Sequence, residues 1–474
     1  MLVAIVTIPM IVRGIGVDRF GVLSLAWVIV GYFGLFDLGI GRALTKFVVD
    51  QLAADQEHVI PRLAWTSLLL MLILGVIGTL ITVALSPWLV HRTLKIPQAL
   101  QPETLKGFYL LAASIPIVTT TAGLRGILEA FQRFRIVNLI RIPLSIFSFV
   151  GPLLVLPYSH SLVSVLALLV AARFFGFGVH LWACFYNVPT LYRSPSLDGS
   201  FVIPLARFGG WMTINNVIGP LLSYADRFLI GALVSVSAVA YYSAPVDMVL
   251  RLTVIPIAVV GVLFPAFTMS LNHDPTRAAV LLSRGLKYVF LVIFPIVLVI
   301  VTFAPEGLRL WLGPTFALNG ASVLRWVAAG AFINALAILP FVLIQSAGRP
   351  DITAWLLIGE LPLYWGALWF LTKWLGIEGT AIAWAARLTV EAVLVFFLSS
   401  RWLPAQKPKF LSRLGMATVG GLMLLYWASL LEDLAVKIVF IVLALLAFGI
   451  AGWFWGLAPA ERNYLIQDRM RAPV

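Results

Sequence analysis

The sequence predicts an all-α, polytopic membrane protein with about fourteen transmembrane helices. These helices would form two pseudo-symmetric six-helix bundles followed by a C-terminal helix pair. Three observations support this fold class: a composition dominated by apolar residues, a succession of apolar runs long enough to cross a bilayer, and a weak internal repeat that relates the two halves.

The composition excludes a soluble globular protein. Hydrophobic residues make up 61% of the chain and charged residues 11%, whereas soluble domains are about a quarter charged. The 16 tryptophans and 12 tyrosines suit the membrane–water interfaces, where amphipathic rings settle. A single cysteine, Cys184, excludes an intramolecular disulfide and a cysteine-based metal cluster. We therefore predict no metal and no cofactor.

Apolar runs between charged or Pro/Gly-rich breaks define the predicted spans. None of the connecting segments is long enough to form a soluble domain. The first run is short for a spanning helix, so we expect the first helix to be truncated, with Met1 not the true start. The runs cover residues 1–12, 21–38, 63–90, 107–129, 137–158, 162–186, 205–233, 239–269, 288–311, 321–346, 352–374, 379–402, 414–431 and 435–457.

The basic residues are distributed unequally between the two sides of this topology. Of the 33 Lys and Arg residues, 20 fall in loops on the side of the termini, 8 on the opposite side and five within spans. Loops rich in Lys and Arg stay in the cytoplasm, so both termini are predicted to be cytoplasmic. The same bias accounts for the net charge of +13 without nucleic-acid binding.

Matches at nearly constant spacing indicate an internal repeat. Ala-Ala-Arg occurs at Arg173 and again at Arg387, and the basic segments around Arg133 and Arg349 have almost the same offset. An offset of six spans gives both halves one orientation, as in transporters whose repeats are related by an axis along the membrane normal. We predict an N-terminal six-helix bundle over 1–200, a C-terminal one over 201–404, and helices 13 and 14 with a cytoplasmic tail over 405–474.

Two short motifs carry a family resemblance. The stretch GYFGLFDLGIGRAL contains a Phe-Asp-Leu-Gly turn at 36–39, and YADRFLIG contains Asp226 and Arg227. Upstream, the pattern Gly-x-x-x-Phe-Gly-x-Leu-Ser occupies 16–24. These motifs resemble bacterial polysaccharide flippases of the O-antigen and teichoic-acid export branch of the multidrug/oligosaccharidyl-lipid/polysaccharide superfamily. The resemblance implies movement of undecaprenyl-diphosphate-linked sugars from the inner to the outer leaflet of the bacterial inner membrane.

Motifs for catalysis are missing from the sequence. It contains no GxSxG elbow, no HExxH pair and no phosphate-binding P-loop. The five histidines are scattered, and we interpret them as solvated or interfacial residues. The predicted loops are also too short to hold a sugar acceptor. The protein is therefore predicted not to be an enzyme.

Charged residues inside spans are the strongest functional signal, because an ionised group at the bilayer centre costs at least about 2.5–3.5 kcal/mol. Arginine grips phosphate oxygens with a planar fork of donors. We therefore predict that five arginines bind the diphosphate and sugar of a lipid-linked substrate, although Arg227, near the outer end of its span, would alternatively snorkel to the interface. The five are Arg173, Arg251, Arg387, Arg227 and Arg325.

Carboxylates in the same spans are candidates for a driving proton or Na⁺. Asp247 with Arg251, and Glu391 with Arg387, are four residues apart and so share a helix face, where each pair would neutralise itself. Glu360 has no such neighbour, so its compensation must come from another helix, a lipid headgroup, a ligand or water. Asp37 and Arg42 end the second span either as a topological stop or as a gate. The candidates for ion coupling or gating are Asp37, Arg42, Asp247, Glu360 and Glu391.

These observations together predict a flippase for surface polysaccharide synthesis, whether O-antigen, capsule or exopolysaccharide, that works by alternating access. Its partners would be a polyprenyl-diphosphate-linked oligosaccharide, membrane lipids, a coupling H⁺ or Na⁺, and a glycan polymerase. Two alternatives stay open: a cation-coupled multidrug or small-molecule exporter of the same superfamily, and a membrane-embedded polysaccharide polymerase or transferase.

Overall fold

The computed structural model describes residues 2–32, 38–193, 196–403 and 409–452, which fold into α-helices joined by short turns and contain no β-strand. This part of the chain is all-α, as predicted. The helices are α1 Leu2–Ile15, α2 Val17–Tyr32, α3 Ile40–Ala53, α4 Ile60–Trp88, α5 Gln101–Ala113, α6 Ile115–Ala130, α7 Phe134–Val155, α8 Leu162–Asn187, α9 Thr190–Arg193, α10 Val202–Leu233, α11 Val236–Leu250, α12 Val254–His273, α13 Pro275–Thr302, α14 Ala304–Leu312, α15 Pro314–Ser346, α16 Pro350–Ser399, α17 Lys409–Leu430 and α18 Leu434–Ala451.

Within the described ranges, nine helical segments are long and apolar enough to cross a membrane, and shorter apolar helices occupy Ile5–Ile15 and Leu414–Leu430. The predicted count of fourteen spans stays a prediction. One reason for the lower number is that two predicted spans fall within one segment, Pro350–Trp402. The nine are Glu57–Thr93, Gln98–Ala130, Phe134–Val155, Leu162–Asn187, Val236–Phe264, Pro275–Thr302, Pro314–Ser346, Pro350–Trp402 and Leu434–Ala451.

Helix α16 is broken in its middle at Gly376. This residue has φ +62° and ψ −139°, a backbone conformation that glycine adopts without steric cost. The break lies between the predicted spans 352–374 and 379–402. Glu360 and Arg387 would be about 40 Å apart on a straight helix, yet their side chains are 3.4 Å apart. The two arms of α16 therefore fold back side by side at Gly376.

Helix α3 forms where the sequence predicts a cytoplasmic loop. Its buried residues Ile40, Ala43, Leu44 and Val48 lie on one face, at the spacing of an amphipathic helix. That face packs against α6 and α4. The loop prediction was wrong here because α3 is too short and too polar on its outer face to register as a span, while tertiary contacts stabilise it.

Small residues let the helices of this region approach closely. A Cβ atom added at Gly126 on α6 would lie 3.0 Å from the carbonyl oxygen of Gly41 and 2.5 Å from Oγ1 of Thr45, both on α3. A Cβ at Gly75 on α4 would lie 2.5 Å from Cα of Pro116. Because lipid gives helices little hydrophobic reason to associate, such close backbone packing is a main source of their affinity.

The chain divides into two compact units. Unit 1 comprises Met1–Ala244 with Thr372–Ile377, and unit 2 comprises Pro245–Leu371 with Glu378–Val474. The division between them falls inside α11. The predicted regions 1–200, 201–404 and 405–474 were defined by a repeat in the sequence, whereas these units are defined by contacts in space. The predicted regions therefore stay a prediction.

Candidate functional site: a cationic cavity in unit 1

Unit 1 contains a cavity of about 870 Å³ between α2, α3, α6, α7 and α8. Four arginines line it, one each from α3, α6, α7 and α8. We call this space the cationic cavity. The ionisable residues that line it are Arg42, Arg125, Arg141, Arg173, Glu129 and His180.

Helical periodicity places these side chains on the same walls. On α6, Ala122, Arg125 and Glu129 recur at intervals of three and four residues, and all three line the cavity. On α8, Arg173 and His180 are seven residues apart, two helical turns, and also share the lining face. Regular helices thus concentrate charge that is dispersed along the sequence.

Positive charge exceeds negative charge in this cavity. Among the lining residues that the structure describes, four guanidinium groups face a single carboxylate, Glu129. The Nε of Arg125 lies 3.4 Å from Oε1 of Glu129, one turn along α6, and both side chains are partly exposed. An excess of arginines over carboxylates among the described lining residues suits the cavity to an anion with more than one negative charge.

His180 contributes a different kind of polar group. Its Nδ1 lies 2.7 Å from the carbonyl oxygen of Gly176, which accepts only, so Nδ1 carries the hydrogen and donates it. In the neutral ring Nε2 is then an acceptor, and it is buried without a hydrogen-bond partner. The residue is 2% exposed. The prediction that the histidines are solvated or interfacial was therefore wrong for His180.

A second charged group lies in unit 2, where we define the Arg387 cluster as Arg387, Glu360, Glu391 and Tyr364. The Nη1 of Arg387 lies 3.1 Å from Oε2 of Glu391 and 3.4 Å from Oε2 of Glu360. Its guanidinium carbon lies 5.4 Å from the centre of the Tyr364 ring, within cation–π range. The predicted self-neutralising pair of Arg387 and Glu391 is thus present, and Glu360 finds its counter-charge across the break at Gly376.

The other predicted arginines lie in separate surroundings. Arg227 is 3% exposed and so is packed inside unit 1 rather than reaching the surface, and its neighbour Asp226 accepts a 2.6 Å hydrogen bond from the hydroxyl of Tyr242. Arg251 is exposed, in a 3₁₀ turn between α11 and α12. Arg325 lies within electrostatic reach of Glu306 and Glu378.

The predicted site residues therefore do not form one group. Arg42 and Arg173 line the cationic cavity. Arg387, Glu360 and Glu391 form the cluster in unit 2. Asp37 lies outside the described residues, and Asp247 stays a candidate by sequence alone.

Sequence reasoning missed three cavity residues, Arg125, Arg141 and His180. It assigned both arginines to cytoplasmic loops, although α6 and α7 carry them. A usable signal was present for both arginines, because Arg125 falls inside the predicted span 107–129 and Arg141 inside 137–158. His180 is the one histidine inside a predicted span, 162–186, so its position was a signal that could have separated it from the other four.

Metal binding finds no support in the described parts of the chain. No group of three or more His, Cys, Asp or Glu residues among them is arranged to hold a metal ion. The Arg387 cluster has two carboxylates and a competing guanidinium, which is a poor set of ligands for a divalent cation such as Ca²⁺ or Mg²⁺.

Comparison with known proteins identifies the family. Residues 1–271 match the family described as "Polysaccharide biosynthesis protein". A Shigella flexneri protein, named provisionally as an O-antigen transporter, is 30% identical over 405 residues, which cover 84% of this chain and 94% of that protein.

Solved structures show the same fold at low sequence identity. An inward-facing multidrug resistance MATE family transporter of the MOP superfamily aligns with a TM-score of 0.72 and 16% identity, covering 83% of this chain and 92% of that one. The lipid II flippase MurJ in an inward closed conformation aligns with a TM-score of 0.64 and 12% identity, covering 96% and 97%.

The comparisons confirm two predictions from the sequence. The polytopic all-α fold class agrees with that of the solved transporters, and the named relatives are transporters and a flippase rather than enzymes. The family match covers more than half of the chain, and the Shigella relative covers most of it. The chain is therefore a multi-pass membrane protein that belongs to the polysaccharide biosynthesis protein family.

Proposed function

We propose that the protein is a flippase that moves a polyprenyl-diphosphate-linked oligosaccharide across the bacterial inner membrane for surface polysaccharide synthesis. One observation carries this proposal: four arginines surround the cationic cavity of about 870 Å³ within apolar helices of unit 1. The family and its named relatives support the same class of substrate.

The chemistry of the cavity fits a diphosphate headgroup. Both phosphates of such a lipid are anionic and offer several acceptor oxygens, and guanidinium groups bind such oxygens in pairs. Each charge-assisted hydrogen bond contributes about 1.5–3 kcal/mol. Four arginines would repel a small cationic drug, whereas they attract an anionic diphosphate. This difference favours the lipid substrate over the alternative of a multidrug exporter.

Lipid-facing surfaces are available for the polyprenyl chain. Helix α4 exposes Leu72, Val76 and Leu80, among other large apolar residues. An isoprenoid tail can remain in the hydrocarbon phase beside such helices while its headgroup enters the cavity. Only the polar part of the substrate then requires a hydrophilic path.

Energy coupling is proposed to involve Glu360 and Glu391. Two buried carboxylates share the single guanidinium of Arg387, so the cluster keeps one negative charge if both are ionised. A proton or Na⁺ would balance that charge, and its binding and release would drive alternating access. Asp247 and the pair of Asp37 and Arg42 remain candidates for coupling and gating.

The proposed topology places both termini in the cytoplasm. It rests on the excess of Lys and Arg in loops on that side. Reporter fusions after His160 and after Arg277 should report opposite compartments, outside and inside respectively. A common location for both fusions would contradict the assigned spans.

The decisive experiment for the function compares two arginines of the same helix. Arg141 on α7 lines the cavity, whereas Arg135 is exposed on α7 and lies away from it. Arg141→Ala and Arg173→Ala should each lower surface glycan export by at least about 10-fold, the effect of losing one charge-assisted hydrogen bond. Arg173→Lys should recover part of the export, because lysine keeps the charge but not the fork.

Export should be measured in cells that lack the native protein and normalised to its abundance in the membrane. Arg135→Ala is the matched control and should export normally. If Arg141→Ala and Arg173→Ala also export normally, the cavity does not carry the glycan lipid. Normal glycan export in cells that lack the protein altogether, together with altered drug resistance, would instead favour the multidrug alternative.

A further inference from the structure

His180 differs from the arginines of the cationic cavity because its Nε2 accepts a hydrogen bond. The arginines there can only donate hydrogen bonds. Nε2 of His180 has a lone pair, is buried and has no hydrogen-bond partner. A buried acceptor left unsatisfied costs about 1–3 kcal/mol, so the cavity wall contains a group that a bound ligand could stabilise by donating a hydrogen bond.

A diphosphate by itself does not meet this requirement. When it is esterified at both ends, its oxygens are ionised and accept hydrogen bonds without donating any. It would satisfy the guanidinium groups of Arg125, Arg141 and Arg173 and leave Nε2 of His180 unpaired. The group attached to the diphosphate can supply the missing donor, since a sugar carries hydroxyl or acetamido N–H groups.

The positions of the residues agree with this division of roles. Arg173 and His180 both line the cavity from α8 and are seven residues apart, which is about 10.5 Å along a helix. A ligand that places its diphosphate near Arg173 can therefore extend its attached sugar along α8 toward His180. The hydrogen bond from Nδ1 to Gly176 fixes the ring so that Nε2 remains the acceptor.

We infer that His180 is a specificity-determining residue that accepts a hydrogen bond from a hydroxyl or amide N–H on the sugar next to the diphosphate. This inference rests on the proposed function. It adds a selection step, because a site built to pair a buried acceptor rejects ligands that lack the donor. The cavity would thus bind sugar-bearing lipids in preference to diphosphate lipids without a sugar.

The test compares two soluble probes of equal charge on the purified full-length protein. Both are farnesyl diphosphates, one capped with N-acetylglucosamine and the other with a methyl group that donates no hydrogen bond. The wild-type protein should bind the sugar-capped probe about 10-fold more tightly, the effect of one satisfied buried hydrogen bond. The dissociation constants are measured by calorimetry in detergent at neutral pH.

Two variants of similar size isolate the acceptor. His180→Gln keeps an acceptor oxygen on a side chain long enough to reach the position of Nε2, whereas His180→Met has no comparable acceptor. His180→Met should lose the preference for the sugar-capped probe while binding the methyl-capped probe as the wild type does, which also shows that the variant is folded. His180→Gln should retain most of the preference.

Cys184→Ala is the control on the same helix, because Cys184 donates to the carbonyl oxygen of Leu124 and does not line the cavity. It should change neither dissociation constant. Equal affinity of the wild type for both probes would overturn the role of His180 while leaving the diphosphate site intact. Equal weakening of both probes by His180→Met would show a structural role only. Failure of the wild type to bind either probe would overturn the proposed function itself.

Discussion

The cationic cavity of unit 1 and the Arg387 cluster of unit 2 both place ionisable groups inside apolar helices, but they balance charge in opposite ways. The cavity surrounds open space with four arginines and one carboxylate. The cluster joins one arginine to two carboxylates, and all three side chains are 12% exposed or less. By contrast, the Arg125 side chain in the cavity is 40% exposed.

This difference shows that intramembrane charge alone does not identify a binding site. A buried arginine whose counter-charges are within the protein stabilises the fold and has little left to offer a ligand. An arginine beside open volume, in a region with too few carboxylates, can bind an external anion. The balance of charge and the available space together separate the two roles, and each can be tested separately.

The largest expected effect is on the fold of unit 2. Arg387→Ala would leave Glu360 and Glu391 buried without their cation, and breaking a buried ion pair in this way costs about 3–5 kcal/mol. We expect a large loss of membrane abundance and a lower unfolding temperature in detergent. Arg173→Ala in the cavity should keep normal abundance and lose only export.

The control for this prediction removes all three charges. Arg387→Ala combined with Glu360→Gln and Glu391→Gln should restore most of the stability, because no unpaired charge remains. If Arg387→Ala is as abundant as the wild type but fails to export glycan, the two regions do not differ as described, and Arg387 acts in substrate binding or ion coupling rather than in the fold.

The second prediction concerns the wall of the cavity. Gly126→Leu would force a side chain into the contact of α6 with α3, where a Cβ atom alone already meets Thr45 and the carbonyl of Gly41. Overpacking of this kind costs about 1–3 kcal/mol. Thermal unfolding should detect the loss, and glycan export should fall because Arg42 on α3 moves away from Arg125 on α6. Gly359→Leu, at a site with open space around it, should be tolerated.

A third prediction uses the other buried cation of unit 2, Lys437 on α18, which is 2% exposed. Its Nζ lies 2.7 Å from Oε1 of Glu306 on α14, between two spans. Burial raises the pKa of Glu306, but the hydrogen bond and charge of Lys437 outweigh it and hold the pKa below its usual value.

A carboxyl with a lowered pKa in the folded protein stabilises the fold at neutral pH, and that contribution disappears as the pH falls through the usual and then the lowered pKa. The unfolding temperature should therefore decrease on acidification below about pH 5. Glu306→Gln should lower the unfolding temperature at pH 7 and flatten this acid-dependent decrease. If the unfolding temperature of Glu306→Gln falls on acidification as much as that of the wild type, the pair of Glu306 and Lys437 is not the source of the decrease.

The smallest effect is expected at Glu129. Glu129→Gln removes the one described carboxylate of the cavity but breaks only a partly exposed pair with Arg125, which is worth about 0–1 kcal/mol. Stability should barely change. Binding of the methyl-capped farnesyl diphosphate should become tighter and more dependent on salt, because the cavity is then more positive. Weaker binding would mean that Glu129 positions Arg125 rather than competing for it.

The amino-acid sequence by itself determined that the chain lies in a membrane and that its fold is all-α. Apolar composition and run length indicate a membrane protein because charged groups are costly in lipid, and the absence of catalytic motifs agrees with its transporter relatives. The division of α16 near Gly376 and the position of Arg173 within a helix were also predictable, since both depend on local sequence: a glycine between two apolar runs, and a base within one.

Only the tertiary structure decided which charges meet. Arg125 and Arg141 were counted among the cytoplasmic bases from the sequence, yet α6 and α7 place them in the same cavity as Arg173. His180 lies within an apolar run, but the neighbouring helices decide that it faces the cavity, and Glu360 reaches Arg387 only because α16 folds back at Gly376. The physical reason is that helix periodicity fixes the face on which a residue lies, whereas the identity of the facing helix depends on contacts between segments far apart in the chain.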